Sequence, residues 1–305
     1  MNDASAVSII IPESVRAAAE KSVGLFFAAF AQTAPKDSAS DHLDLAKSHK
    51  RARLLERYSP LAGRKLLEIG SGYGTNLATW IKSCEVDGYG TEPDGIGFGD
   101  SFSASRELFT ANDIDPERII PVKGEKLPFA DASFDIVYSA NVLEHTESPM
   151  TVLEEAVRVL RPNGILHFEM PNFLSYFEGH YIVPQPPILW KSLLPAWLRL
   201  LGRDPSYALT LRTEINPVWC RRAVKQISKK YPVELLSVGS EVFLDRLAQP
   251  FQFEMGITAS RLQSKIALMQ RLNLGNWIGH TIVAAQGHYP IYLTLRREPT
   301  ASSAE

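Results

Sequence analysis

Three features of this sequence predict an α/β fold built on a mostly parallel sheet with helices on both faces. Short apolar strands alternate with helical segments over about 110 residues from Lys65, the pattern of βαβ units. The strands read as near-continuous apolar runs, such as Leu66-Leu67-Glu68-Ile69, as expected where both faces are covered. A glycine-rich turn, Gly70-Ser71-Gly72-Tyr73-Gly74, follows the first strand at once and opens a helix.

Residues 1–60 read as a helical N-terminal cover and 61–305 as the sheet domain. A helix opens at Pro12-Glu13-Ser14, and apolar residues at helical spacing run from Val15 to Phe30 before the breaker Pro35. A polar loop over 36–40 leads to a second helix over 41–58, with Leu43, Ala46, Leu54 and Leu55 as its stripe and Pro60 and Gly63 as its end. The apolar run 23–31 holds nine residues, against the roughly 20 that span a bilayer. Its Ala29-Phe30-Ala31 end resembles a signal-peptidase site, but no basic residue precedes Arg16 and Asp3 makes the start acidic. A core or lid helix is therefore expected rather than a signal peptide.

From Lys65 the expected order is strand 66–69, helix 75–83, and strands 86–91, 119–122 and 134–139. Helix 150–160, a helix-stopping turn at Arg161-Pro162-Asn163-Gly164 and strand 165–170 follow. Residues 172–216 are rich in Pro, Trp and Tyr, with two short apolar helices around 188–194 and 196–201. A helix over 218–231, a strand over 233–238, a helical stretch over 241–285 and an alternating, half-exposed strand over 289–296 complete the domain, and the tail after Pro299 reads as disordered. If the 233 strand runs parallel to the fifth strand and the 289 strand antiparallel, the insertions 172–216 and 240–286 both stand at the carboxyl edge of the sheet, where such folds bind ligands.

Composition narrows the function. Lys plus Arg number 32 and Asp plus Glu 34, a net charge of −2, which lacks the electrostatic footprint of a general nucleic-acid binder. Two cysteines, Cys84 and Cys220, cannot build a disulfide framework and suit a reducing compartment, so a cytoplasmic protein is expected. The glycine turn lets backbone N–H groups approach a ligand closely. A dinucleotide site would want glycine or alanine at position 75, where Thr75 stands. Glu92, at the end of the second strand and 18 residues after Gly74, is spaced to accept hydrogen bonds from ribose hydroxyls.

Taken together, Glu68-x-Gly70-x-Gly72-x-Gly74, Gly90-Thr91-Glu92-Pro93, Leu127-Pro128-Phe129 with Ser133-Phe134-Asp135, Val142-Leu143-Glu144-His145 and Leu160-Arg161-Pro162-Asn163-Gly164 resemble the successive motifs of class I S-adenosylmethionine-dependent methyltransferases. The small-molecule and quinone methyltransferase group is the nearest in pattern, and the resemblance covers about 64–172, the cofactor half. It implies a Rossmann-like seven-stranded sheet with S-adenosylmethionine as cofactor. Glu68 and the loop Gly70, Ser71, Gly72 and Gly74 would lie under the methionine moiety, Glu92 with Pro93 at the ribose, Gly124 and Glu125 at the adenine, and Asn141 beside the methyl group. One departure stands out: the family often writes Asp-Ala-Glu where this chain has Lys123-Gly124-Glu125, so Glu125 or backbone atoms must read the adenine.

The competing readings are structural. Glu68 could also bond the N–H groups of its own turn, and Glu92 could be a solvated strand-end acid. His145 is either a base at the sheet edge or a cap for the next loop. His180, within Glu178-Gly179-His180-Tyr181, is either a base for an acceptor hydroxyl or part of a polar cluster that pins its loop. The group Trp190, Leu193, Leu194, Trp197 and Leu198 reads as lid packing or a homodimer contact, and the interleaved Lys191, Arg199 and Arg203 leave membrane-surface association as the less favoured alternative. No set of histidines and acids has metal-ligand spacing along the chain, so a metal-free mechanism is expected. The insertion loosely resembles bacterial sugar and polysaccharide methyltransferases, which implies O-methylation of a sugar or glycan. A phenolic or quinone-like small molecule, an inactive cofactor-binding scaffold and a dehydrogenase follow in that order.

Overall fold

The computed structural model describes residues 8–95, 99–248 and 274–299. The N-terminal helix α1 (Glu13–Ala19) continues through a π turn (Glu20–Gly24) into α2 (Leu25–Phe30). Val15, Ala19 and Val23, four residues apart, form its buried face, as the periodicity predicts. Pro35 does not break the chain into a loop. It sits at the first position of α3 (Pro35–His42), where its missing N–H costs nothing, so the expected loop over 36–40 is helical. Helix α4 (Leu45–Leu55) starts afresh because the Asp44 carboxylate accepts from the Ala46 N–H at 2.9 Å. Its buried face is Ser48, Ala52 and Leu55, whereas Ala46 is exposed. The stripe is rotated from the expected one because α4 seats polar atoms against the next helix: Ser48 Oγ donates to Asn76 Oδ1, and Trp80 Nε1 donates to the Ser48 carbonyl.

The sheet contains β1 (Lys65–Ile69), β2 (Asp87–Thr91), β3 (Ile119–Ile120), β4 (Phe134–Ala140), β5 (Leu160–Met170), β8 (Val233–Ser237) and β9 (Ile291–Arg297) in the order β3-β2-β1-β4-β5-β9-β8. β1 to β5 pair in parallel and β9 is antiparallel to both neighbours. β8 therefore runs parallel to β5, which meets the condition for the second insertion to stand at the carboxyl edge. Side chains alternate across the sheet: Leu67, Val137 and Phe168 enter a core with α7 (Pro149–Val159) and α9 (Pro217–Ile227), while Leu66, Ile136 and Ile165 enter one with α1, α4, α5 (Thr75–Cys84) and α6 (Ser101–Thr110). Helices thus cover both faces.

Several expectations need correction. β3 is only two residues long, since Pro121 has no N–H to donate to a ladder. The 161–164 turn opens β5 instead of preceding it, with Asn163 at φ 65° and a register shift against β4. β9 is buried over its first five residues because both its faces are covered: Ile291, Leu293 and Leu295 enter the core with α7 and α9, and Tyr292 and Thr294 pack with His167. In the first insertion, a hairpin of β6 (Phe177–Glu178) and β7 (Val183–Pro184) and the single helix α8 (Leu193–Leu200) replace the two helices expected. In the second, α10 (Ser240–Ala248) and α11 (Leu274–Ala284) are seen; the remainder of the expected 241–285 helical stretch, and the tail after Pro299, lie outside the described residues. Among the described residues, no helix is long and apolar enough to cross a membrane.

On β5, His167 is buried between the stacked rings of Tyr138 and Tyr292, its Nδ1 2.9 Å from Thr294 Oγ1. Burial pushes its pKa from 6.5 down to about 4. Above pH 6.5 the imidazole is neutral in both folded and unfolded chains. Between 6.5 and about 4 the unfolded chain takes up a proton that the folded one refuses, so stability falls as pH falls. Urea unfolding across that range should show this slope, and His167→Gln should flatten it.

Candidate active site

The strand order reverses between β1 and β4, and the loops leaving their carboxyl ends meet there, opening the crevice where such sheets bind ligands. A Cβ on Gly70 would stand 2.3 Å from Val142 Cγ2 in the loop after β4, so only glycine permits this approach. Gly70, Gly72 and Gly74 all have positive φ (69°, 53° and 75°). Open space adjoins Gly72, whereas Gly74 packs on Phe109 and Ser105. A cavity of about 1710 Å³ lies over this turn, lined by Glu68, Gly70, Ser71, Gly72, Glu92, Pro93, Gly124, Glu125, Asn141, His145 and His180. Of the site residues expected from the sequence, Gly74 alone is off the wall; it caps α5 in the left-handed conformation.

Glu68 does not serve its own turn. Its Oε1 accepts from Asn76 Nδ2 of α5 at 2.8 Å, and its Oε2 is buried with no hydrogen-bond partner among the described residues, as is Ser71 Oγ. Burial, only partly offset by Asn76, pushes the carboxyl up to about 7. This orphaned acceptor beside an open glycine turn fits a cationic or N–H-bearing ligand such as the methionine moiety of S-adenosylmethionine. Glu92 is held by Ser101 Oγ at 2.6 Å and by the Gly72 N–H at 2.9 Å, and burial outweighs both to raise its pKa. Each of its oxygens keeps a lone pair for a hydroxyl. Glu125 Oε1 instead accepts from the Glu147 N–H, and Lys123 Nζ pairs with Glu147 at 2.6 Å. The Lys123-Gly124-Glu125 segment is thus tied to the loop before α7, and its backbone faces the cavity at Gly124.

At the other end of the cavity the fold assembles a polar pole that the sequence showed only in pieces. The β6–β7 hairpin carries His180 to within 3.4 Å of His145, Nε2 to Nε2, although the two are 35 positions apart. His180 Nδ1 lies 2.7 Å from Glu178 Oε1, and His145 Nδ1 lies 3.0 Å from the Tyr207 hydroxyl. Glu178 Oε2 also accepts from the Tyr181 N–H, so the pinned loop and the oriented imidazole are one arrangement. Glu144, fully buried, points Oε1 at both rings, 3.7 Å from His145 Nε2 and 3.9 Å from His180 Nε2. The expectation of scattered histidines does not survive folding: ligand atoms of Glu144, His145 and His180 lie within 4.8 Å of one another. Burial lifts Glu144 to about 7 against the pull of His180. Burial would lower His180, but Glu178 outweighs it and the pKa rises, while burial together with His180 lowers His145.

Other wall residues escaped the sequence reading. Arg51 Nε donates to Glu169 Oε2 at 3.0 Å, and Arg246 donates to the Tyr292 hydroxyl at 2.6 Å. Burial alone would raise Glu169; Arg51 and then Arg246 hold it below the ordinary carboxylate value. Arg51 left one trace in the sequence, a basic residue on the inward face of α4. Glu144 stands beside His145 in a motif already noted. The Trp190 group is away from this cavity: Leu194 and Leu198 are core, Trp190 is exposed, and Trp197 Nε1 donates to the Pro184 carbonyl.

Residues 67–168 match the family described as "Methyltransferase domain". An uncharacterized methyltransferase of Mycobacterium tuberculosis is 36% identical over 121 residues, 40% of this chain and 44% of that protein. One of Mycolicibacterium vanbaalenii is 34% identical over 122 residues, 39% and 44% of the two chains. The matched part spans less than half the length of these relatives. Among solved structures, a phosphoethanolamine N-methyltransferase of Haemonchus contortus in complex with S-adenosyl-L-methionine aligns at 16% identity and a TM-score of 0.47, over 83% of this chain and 53% of that one.

Gly70→Ala should weaken binding of the demethylated cofactor about tenfold or more by calorimetry. A left-handed Cβ costs roughly 1–2 kcal/mol before its overlap with Val142, and Gly70→Ala/Val142→Ala should recover the part due to overlap.

Proposed function

We propose that this chain, whose residues 67–168 match a methyltransferase domain, transfers the methyl group of S-adenosylmethionine to a hydroxyl of a sugar or glycan acceptor. The observation that carries the reading is one cavity with two unlike ends: a glycine turn with unsatisfied Glu68 and partly free Glu92 at one, and a polar pole of His145, His180, Glu144 and Tyr207 at the other. When bound, the cofactor supplies an electrophilic methyl on a sulfonium, and the electron pair of the breaking C–S bond returns to sulfur.

The chain's own part is alignment and activation. Glu68, Gly70, Ser71 and Gly72 would hold the methionine moiety, Glu92 and Pro93 the ribose, and Gly124 with Glu125 the adenine side. Asn141, at φ 55° after β4, borders the region between the two ends. A hydroxyl oxygen is a poor nucleophile until its proton begins to leave, and the pole of His145 and His180 is where the acceptor is activated. Both insertions would form the acceptor wall, with Tyr176, Phe177 and Tyr207 from the first and Phe243 and Arg246 from the second. Aromatic faces beside hydroxyl-binding histidines suit a carbohydrate. Two unpaired cysteines suit a cytoplasmic setting.

Mass spectrometry of reactions with labelled cofactor and a panel of sugars, glycans and phenols should find the label on a sugar hydroxyl. Label only on phenols would shift the acceptor to the quinone-like class, and no binding of cofactor or its demethylated product would leave a scaffold. With a working acceptor, His145→Ala and His180→Ala should each lower kcat by about 10²-fold or more while leaving affinity for the demethylated cofactor within about twofold.

A further inference from the structure

We propose that Glu144, His145 and His180 bind a divalent transition-metal ion of the zinc type, and that this ion holds adjacent hydroxyl oxygens of the acceptor. The proposal rests on the hydroxyl-acceptor reading above and names how the pole does its work. The geometry comes first. Glu144 Oε1, His145 Nε2 and His180 Nε2 form a triangle with sides of 3.4, 3.7 and 3.9 Å. The point equidistant from its corners, the circumcentre, is about 2.1 Å from each, which falls within the Zn–N and Zn–O bond range. The three donors are therefore spaced to ligate one ion, and a tetrahedral site needs only the two longer sides to close by a few tenths of an ångström.

The surroundings fit as well. Two neutral imidazoles and a carboxylate are a donor set of catalytic zinc sites, which keep a position open for water or substrate. Ligating histidines characteristically engage their second ring nitrogen with an orienting partner. Both do so here, His180 Nδ1 with the Glu178 carboxylate and His145 Nδ1 with the Tyr207 hydroxyl. An independent observation is Glu144 itself: it is fully buried, and neither carboxylate oxygen has a hydrogen-bond partner among the described residues. A buried carboxylate without a partner is costly, and its Oε1 is aimed between the two rings. The nearest helical turn places it there, since Glu144 and His145 are adjacent in a 3₁₀ turn after β4, while His180 arrives from the hairpin.

Three protein ligands leave the cavity side of the ion open. Neighbouring hydroxyls of a sugar ring can occupy it together, which selects acceptors with a vicinal diol. A hydroxyl on the ion loses its proton to water; the freed oxygen lone pair then forms the bond to the methyl carbon, and the C–S pair departs with sulfur.

The full chain should be stripped with a chelator and titrated with Co²⁺, a visible-absorbing stand-in for zinc. Uptake of a single ion with a visible d–d band supports the site. Glu144→Gln, which keeps the side-chain shape, and His180→Ala should each weaken uptake by about tenfold or more, Glu178→Gln by about 10–100-fold, and the exposed His280→Ala not at all. Circular dichroism melts separate ligand loss from unfolding. No uptake, or uptake indifferent to Glu144→Gln and His180→Ala, would overturn the site. Hydroxyl methylation unaffected by the chelator would overturn the metal while leaving the methyltransferase reading standing. Co²⁺ uptake without methylation of any hydroxyl acceptor would keep the site and overturn the acceptor reading.

Discussion

A buried polar chain beneath the cavity holds the working end of this fold together. Ser48 Oγ donates to Asn76 Oδ1, Asn76 Nδ2 donates to Glu68 Oε1, and Arg51 Nε donates to Glu169 Oε2. These bonds join α4, α5, β1 and β5 at the carboxyl edge of the sheet. The constraint is strongest at Ser48, Asn76 and Glu68, which are buried, because a buried polar group left without its partner costs about 1–3 kcal/mol; the Arg51–Glu169 pair is partly buried. The N-terminal helices are therefore tied to the cavity floor by polar bonds as well as by apolar packing of Val15, Ala19 and Val23.

From that floor the cavity acquires two different ends. The glycine turn lies at the switch point between β1 and β4, where backbone rather than side chain meets the ligand. The opposite end is built almost wholly by chain that leaves the sheet and returns. The β6–β7 hairpin positions Glu178 and His180, the turn near Tyr207 closes on His145, and the turn after β4 supplies Glu144. Each histidine is fixed through one ring nitrogen, so the orientation of both imidazoles is set by the fold. Preorganisation of this kind is what alignment-driven chemistry requires.

The cofactor half was legible because its signals are local. Gly70, Gly72 and Gly74 are demanded by positive φ and close approach, and Glu92 by its distance along the chain from them. Both requirements are written within one strand–helix–strand stretch of the chain. Local signals also misled in places. Pro35 could break or begin a helix, and the choice depended on packing. The alternation over 289–296 suggested one wet face, yet packing covers both: Leu293 and Leu295 on one side, Tyr292 and Thr294 against His167 on the other. The stripe on α4 was judged by apolarity, whereas the inward side carries buried Ser48 and partly buried Arg51, whose partners come from other elements.

The strand–helix alternation and glycine spacing of this sequence determine a doubly covered sheet and the glycine turn at its carboxyl edge, because both are set by interactions among near neighbours. The polar pole was decided by tertiary structure alone. Glu144 and His145 are neighbours in one turn, but His180 and Tyr207 come from other segments, and nothing in their local preferences specifies a distance to that turn. Only the closing of the first insertion over the sheet edge brings their atoms within bonding reach, and it does so by burying Tyr181, Leu194 and Leu198. Apolar burial drives that closure, and the placement of the polar atoms follows from it.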